Sequence, residues 1–209
     1  MTSSDTLQDN AQYWIDRHKQ KQGEIASVGD IRKSEQENTT LYAYKKRRVF
    51  EALRALQLTD LNGKSILDAG CGIGLLSEMF WILGANVSGL DVSLDALELA
   101  RIRVPDGDFK KGVLSAFSFE RKFDLVLCAD VLYHIIDDAA WKEALKALKQ
   151  HVIPGGYCII IEQLKSETLC PAPHVHFRTK ELYLEATEPI GLKLLNFAFV
   201  HPSLLIFQS

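Results

Sequence analysis

Long apolar runs are missing from this chain: runs such as Tyr157 to Ile161 and Leu204 to Phe207 stop far short of the roughly 18 residues that cross a membrane. Cysteine is scarce. Cys71, Cys128, Cys158 and Cys170 include no two separated by two residues, which argues against a zinc ribbon or a disulfide framework. Three of them lie in or beside apolar, strand-like stretches, where a thiol acts as a small buried hydrophobe. Neither sign of charge dominates, with 24 Lys+Arg against 27 Asp+Glu and a net charge of −3. No general electrostatic attraction to nucleic acid or to an anionic membrane is expected. Internal repeats and low-complexity tracts are absent, and Met1 to Asn10 is polar, without the apolar core of a secretory signal. What is present is average: 209 residues, 47 % hydrophobic and 24 % charged, enough for one globular domain that buries roughly 70 % of its unfolded surface. A cytoplasmic, enzyme-sized domain is the expectation.

Two regions differ in pattern. Residues 1–40 are polar with scattered apolar positions and are expected to form an N-terminal cap or lid, its first ten residues frayed. Residues 41–209 form the body. It opens with a helix over Thr40 to Leu58, where Leu41, Tyr44, Val49, Leu53 and Leu56 recur at helical spacing. Strand-like and helical stretches then alternate. Ser65 to Ala69 is a strand, Leu75 to Leu83 a helix stopped by Gly84, and Asn86 to Leu90 a strand ending at Asp91. Ser93 caps a helix to Arg103, and Asp108 to Val113 is a third strand. Phe123 to Cys128 is apolar throughout, as in a strand covered on both faces. Asp138 caps a helix through His151, and Pro154-Gly155-Gly156 turns into a fifth strand, Tyr157 to Ile161. A helix from Thr179 to Ala186 and two strands, Lys193 to Val200 and Leu204 to Gln208, close the chain around a His201-Pro202-Ser203 hairpin. Alternation of this kind implies an α/β fold with a mostly parallel sheet and helices on both faces, ending in an antiparallel hairpin.

The most informative stretch is Ile66-Leu67-Asp68-Ala69-Gly70-Cys71-Gly72-Ile73-Gly74. A strand, a glycine turn and a helix in that order bring a nucleotide-like ligand against bare backbone. The dinucleotide fingerprint wants glycines at the first, third and sixth places, which here are Gly70, Gly72 and Leu75. Asp68, before the turn, would repel a diphosphate and attract an ammonium or sulfonium. Asp91, at the end of the second strand, stands where a carboxylate accepts ribose hydroxyls. A ligand with a ribose and positive charge but no phosphate fits both acids: S-adenosyl-L-methionine. The competing reading is a tight structural turn and nothing more.

Ile66 to Gly74 resembles the first motif of class I S-adenosylmethionine-dependent methyltransferases. The resemblance extends from about Lys64 to the C-terminus through Gly89-Leu90-Asp91-Val92-Ser93, Phe123-Asp124-Leu125-Val126-Leu127 and Pro154-Gly155-Gly156-Tyr157. It implies a Rossmann-like, mostly parallel seven-stranded sheet and the cofactor S-adenosyl-L-methionine, with S-adenosyl-L-homocysteine as product. It assigns the methionine part to Asp68, Gly70, Cys71 and Gly72, the ribose to Asp91, and an adenine contact to Val92. After the third strand the family often has Gly-Asp, whereas the matching pair here is Gly112-Val113. The adenine would then be read by backbone near Val113 and Leu114, or by Ser115; alternatively Gly107-Asp108 is the matching pair.

Cys128 to His134 leaves the fourth strand at the carboxyl edge of the sheet, where ligands bind in such folds. The resemblance puts Ala129 beside the methionine and the following residues near the methyl group. His134 is suited to take a proton from an oxygen or nitrogen nucleophile near neutral pH, or is a structural histidine. Asp130 could orient a substrate hydroxyl or amine, or cap a helix; Tyr133 reads as packing. His174 and His176, on a loop after the fifth strand, border the same edge and offer a second base. With Asp130 and Glu162 they could also compose a metal site, although the spacing is loose and no metal is expected. In the cap, Tyr13, Trp14, Tyr42 and Tyr44 are candidates for contact with cofactor or acceptor, while Lys45-Lys46-Arg47-Arg48 reads as a solvated helix face. The leading expectation is methyl transfer to an oxygen or nitrogen of a small-molecule acceptor such as a secondary metabolite or sugar, without membrane or nucleic acid. The alternatives are a peptide, protein or RNA methyltransferase, a non-catalytic cofactor-binding module, and a nicotinamide oxidoreductase, the last disfavoured by Leu75 and Asp68. Oligomeric state is left open.

Overall fold

The computed structural model describes residues 3–21, 23–198 and 203–209. Helices α1 (Ser3–Gln20) and α2 (Glu35–Ala55) precede β1 (Ser65–Ala69), α3 (Leu75–Ile82), β2 (Asn86–Asp91), α4 (Leu94–Arg103) and β3 (Asp108–Lys111). The second half comprises β4 (Phe123–Ala129), α5 (Asp138–Gln150), β5 (Val152–Glu162), the short strands β6 (Leu169–Ala172) and β7 (Val175–Phe177), α6 (Lys180–Thr187), β8 (Lys193–Ala198) and β9 (Ser203–Gln208). Seven strands form one sheet in the order β3-β2-β1-β4-β5-β9-β8, and β6 pairs only with β7. The first five are parallel; β9 runs antiparallel to both β5 and β8. The chain steps outward from β1 to β3, then crosses back to β4, so the topological switch lies between β1 and β4.

Strand period explains the core. Val126, Cys128, Cys158 and Ile160 face one layer with Trp141, Leu145 and Leu148 of α5. Their neighbours Leu125, Leu127, Ile159 and Ile161 face the other, against Val49 and Leu53 of α2, Phe80 of α3 and Leu97 of α4. Because both faces are covered, alternation disappears and the strands read as continuous apolar runs. Each fully buried Leu or Ile side chain contributes about 1.5–3 kcal/mol.

Several expectations are corrected by packing. Residues 3–10, expected to fray, belong to α1. Helix α2 starts earlier than expected because Ser34 and Glu37 form a reciprocal capping box, so it runs unbroken past residue 40. Asp137, not Asp138, caps α5 by accepting the Ala140 N–H at 2.8 Å. Asp138 is thereby released to pair with the buried Arg178 at 2.8 Å. Pro154 to Gly156 lies inside β5, which begins at Val152 paired to Phe123 and shifts register before Leu125. The stretch after β5 is a β6–β7 hairpin rather than a plain loop. Residues 201 and 202 of the expected terminal turn fall outside the described residues.

Candidate active site

The site is built at the carboxyl ends of β1, β2 and β4. At the end of β1 the chain turns so tightly that Gly70 and Cys71 both donate to the Leu90 carbonyl, at 2.7 and 3.0 Å. Gly70 has φ +84, and a Cβ there would run into the Val131 side chain. Gly74, at φ +80, packs directly on α4: an added Cβ would stand 2.9 Å from Ala100 Cα. Gly74→Ala therefore combines a left-handed backbone, roughly 1–3 kcal/mol, with a backbone clash. Its urea midpoint is expected to fall clearly below wild type; an unchanged midpoint would mean that α3 and α4 can separate freely.

Asp91 ties the turn to β2. Its Oδ2 accepts the Gly72 N–H at 2.9 Å and its Oδ1 accepts the Ser93 N–H at 2.9 Å. Burial pushes its carboxyl up, opposed by these amides. Above the turn opens a concave cleft, the kind of site that holds small ligands. Gly70, Cys71 and Gly72 form its floor, and Asp91, Val92, Val113 and Leu114 one wall. Trp14, His18 and Val28 cover it from the N-terminal region, and Ala129, Asp130, Val131 and His134 close the far end. Gly112 N–H bonds to the Asp91 carbonyl at 2.9 Å, so the Gly112-Val113 pair is the one at the cleft. Asp108 stands at the start of β3, where it meets Arg121 at 3.7 Å.

A smaller recess continues from the cleft, lined by Asp68, Tyr42, Lys45, Ala129 and Asp130. Asp68 is 2 % exposed, and its Oδ2 accepts the Ser77 hydroxyl at 2.7 Å. Burial pushes its carboxyl up to about 6, partly offset by Ser77. Lys45 was expected on a solvated face. It is buried instead, with Nζ 2.5 Å from Asp130 Oδ2 and 4.3 Å from the Tyr42 ring centre. Burial alone would lower its pKa, but Asp130 outweighs this and holds the ammonium charged. Asp130 adopts φ +56, a left-handed conformation that Asp tolerates better than most residues.

The far end is aromatic. His134 Nδ1 lies 2.9 Å from the His174 carbonyl. A carbonyl only accepts, so Nδ1 carries the proton and Nε2 is the basic nitrogen of the neutral ring. Burial lowers this histidine to about 4, against the raising effect of the His174 carbonyl. The Trp14 ring meets His134 edge-on at 4.7 Å, while Tyr13 stacks on His174 at 4.3 Å. Tyr133 packs between His134 and Phe177, at 4.2 and 5.3 Å, away from the cleft lining.

His176 and Tyr44 also lie off the cleft. His176 Nδ1 pairs with the Ile136 carbonyl at 2.9 Å, on β7 and off the cleft. Tyr44 faces an outer groove beside Lys33 and Thr40, because Tyr42, two residues earlier, takes the inward position. Glu162 is buried and accepts the Leu132 N–H at 2.9 Å, fixing the loop after β4. Among the described residues no group of three or more His, Cys, Asp and Glu is placed to hold a metal, and no helix is long and apolar enough to cross a membrane. His18, Val28 and Lys45 are the site residues that sequence reasoning missed.

A doubly wound sheet with its cleft at the switch point, a glycine turn and an acid ending the second strand defines a nucleoside-binding α/β protein. Residues 66–156 match the family described as "Methyltransferase domain". Over 107 residues the chain is 36 % identical to "Ubiquinone biosynthesis O-methyltransferase" of Hydrogenovibrio crunogenus, covering 48 % of this chain and 43 % of that protein. The protein of the same name from Shewanella pealeana is 33 % identical over 155 residues, 69 % of this chain and 60 % of the relative. The matches thus span less than two thirds of these relatives' length. In fold, the DhpI–S-adenosylhomocysteine complex superposes with a TM-score of 0.69 at 18 % identity, covering 99 % of this chain and 97 % of the other. Magnesium protoporphyrin IX methyltransferase from Synechocystis PCC 6803 gives 0.66 at 20 % identity, covering 82 % and 83 %. These matches support a class I S-adenosylmethionine-dependent methyltransferase.

The residues fit that cofactor on their own chemistry. A buried carboxylate at the recess suits an ammonium, a second carboxylate beside bare glycine backbone suits a ribose, and Val28, Val92 and Leu114 offer apolar cover for a base.

Proposed function

We propose that this protein transfers the methyl group of S-adenosylmethionine to an oxygen or nitrogen of a small-molecule acceptor by direct displacement. Bound there, the cofactor supplies an electrophilic methyl carbon on a sulfonium. The chain's own groups do the rest. Asp68 takes the ammonium, Asp91 the ribose, and the backbone at Val113 and Leu114 borders the base. Residues 1–40 act as the lid of the body formed by 41–209, excluding water above the cleft.

The observation that carries this reading is His134: a neutral imidazole in the cleft lining, its proton held on Nδ1 by the His174 carbonyl. Such a ring accepts the acceptor's proton through Nε2 as the methyl moves. The pairing of the basic run favours a small acceptor over a macromolecule. Lys45 is buried on Asp130, Lys46 pairs with Glu78, and Arg47 and Arg48 pair with Glu51. The O-methyltransferase name of these relatives supports oxygen as the acceptor atom. Four unpaired cysteines suit a reducing, cytoplasmic compartment.

Incubation with isotope-labelled S-adenosylmethionine and panels of small phenols, sugars and amines tests the proposal by mass spectrometry. Label on one small-molecule class is expected. Label confined to added RNA or protein would overturn the acceptor reading.

Asp68 adds a pH prediction. With its carboxyl near 6 in the unliganded site, an ammonium beside it stabilises the charged form and pulls that pKa down. Affinity for S-adenosylhomocysteine is then full above pH 6 and weakens as pH falls below it. Calorimetry from pH 5 to 8 reads this, and Asp68→Asn should flatten the slope. A slope retained in that variant would assign it to another group.

A further inference from the structure

His18 sits on α1, one helical turn after Trp14, where it helps cover the cleft. It is 3 % exposed and lines the cleft, yet neither Nδ1 nor Nε2 reaches a hydrogen-bond partner. The Trp14 carbonyl pulls the ring's pKa upward but lies outside bonding geometry. An imidazole buried with both nitrogens unsatisfied costs free energy that packing alone does not explain. Asp91 acts on it more strongly than Asp95, and burial keeps the ring neutral. A neutral imidazole offers one donor and one acceptor, the complement of a hydroxyl. On the other side of that hydroxyl stands Asp91, whose two oxygens each already accept one backbone N–H and retain capacity for another.

We propose that His18 is a ribose-binding residue: it hydrogen-bonds a cofactor ribose hydroxyl opposite Asp91, so that α1 is latched over the cleft by a bond made only when a nucleoside is present. Arg17, its neighbour, anchors the same turn of α1 to the Ala26 carbonyl at 2.6 Å, which holds the imidazole in place before the ligand arrives. The proposal rests on the cofactor reading above.

Calorimetric titration of the full chain with S-adenosylhomocysteine and with its 2′-deoxy and 3′-deoxy analogues tests it. Wild type is expected to bind the parent nucleoside. His18→Leu, which preserves buried volume, is expected to bind it about tenfold more weakly, the worth of one hydrogen bond. An amide substitution, His18→Asn or His18→Gln, should recover part of the loss. Against one of the two deoxy analogues, His18→Leu and wild type should bind equally. If His18→Leu binds the parent as wild type does, or loses the same factor on all three ligands, the imidazole serves only to pack α1 and the inference fails. If wild type itself shows no binding, the cofactor reading fails with it.

Discussion

Asp91→Ala is expected to abolish measurable binding of S-adenosylhomocysteine, a loss of a hundredfold or more. The carboxylate has two duties at once. It would accept the ribose, and it already holds the Gly72 and Ser93 amides at 2.9 Å each. Hydrogen bonds to a charged group contribute about 1.5–3 kcal/mol each, so removing the acid loosens the turn as well as the ligand contact. Asp91→Asn keeps one good acceptor and should fall between. Equilibrium titration reads the affinity, and urea unfolding of the unliganded variants separates loss of the turn from loss of the contact. Wild-type affinity in Asp91→Ala would remove the acid from the site.

His134→Ala is expected to leave cofactor affinity nearly unchanged while turnover drops roughly a hundredfold, the range for losing one general base. The ring's hydrogen bond goes to the His174 carbonyl, not to the glycine turn, which is why the two readouts should separate. Its pH behaviour follows from burial, which lowers it from 6.5 to about 4. The neutral, proton-accepting form then prevails throughout the neutral range, and turnover owed to this residue falls only as pH drops toward 4. The same depression means that the stability due to keeping the ring neutral is full above 6.5 and is lost as pH falls through 4. Turnover that is unaffected in His134→Ala would make the ring a structural support for the aromatic cluster.

Local signals made the sheet and the cofactor wall legible. β4 and the end of β5 appear in the sequence as apolar runs because both faces are covered, and glycines and acids mark the ends of β1 and β2. Gly70 to Gly72, Asp91, Val92, Val113, Leu114 and Ala129 all line the cleft. The beginning of β5 was obscured, because Pro154-Gly155-Gly156 has turn composition and its inclusion depends on a bulged pairing with β4. Two prolines, Pro171 and Pro173, likewise concealed the β6–β7 hairpin. The cap was the least legible part, since its contacts are tertiary. Lys45 shares a helix face with Tyr42, Val49 and Ala52, so its spacing pointed inward although its charge pointed to solvent. Only the partner, Asp130, resolves that conflict. His18 carried one local clue, its place four residues after Trp14 on the same face of α1.

Acids and glycine backbone, without a diphosphate grip, suit the cleft to a sulfonium nucleoside. Parallel calorimetric titration with S-adenosylhomocysteine and with NAD tests that most directly. Saturable one-to-one binding of S-adenosylhomocysteine and no heat from NAD is the predicted result; binding of NAD, with none of S-adenosylhomocysteine, would contradict it.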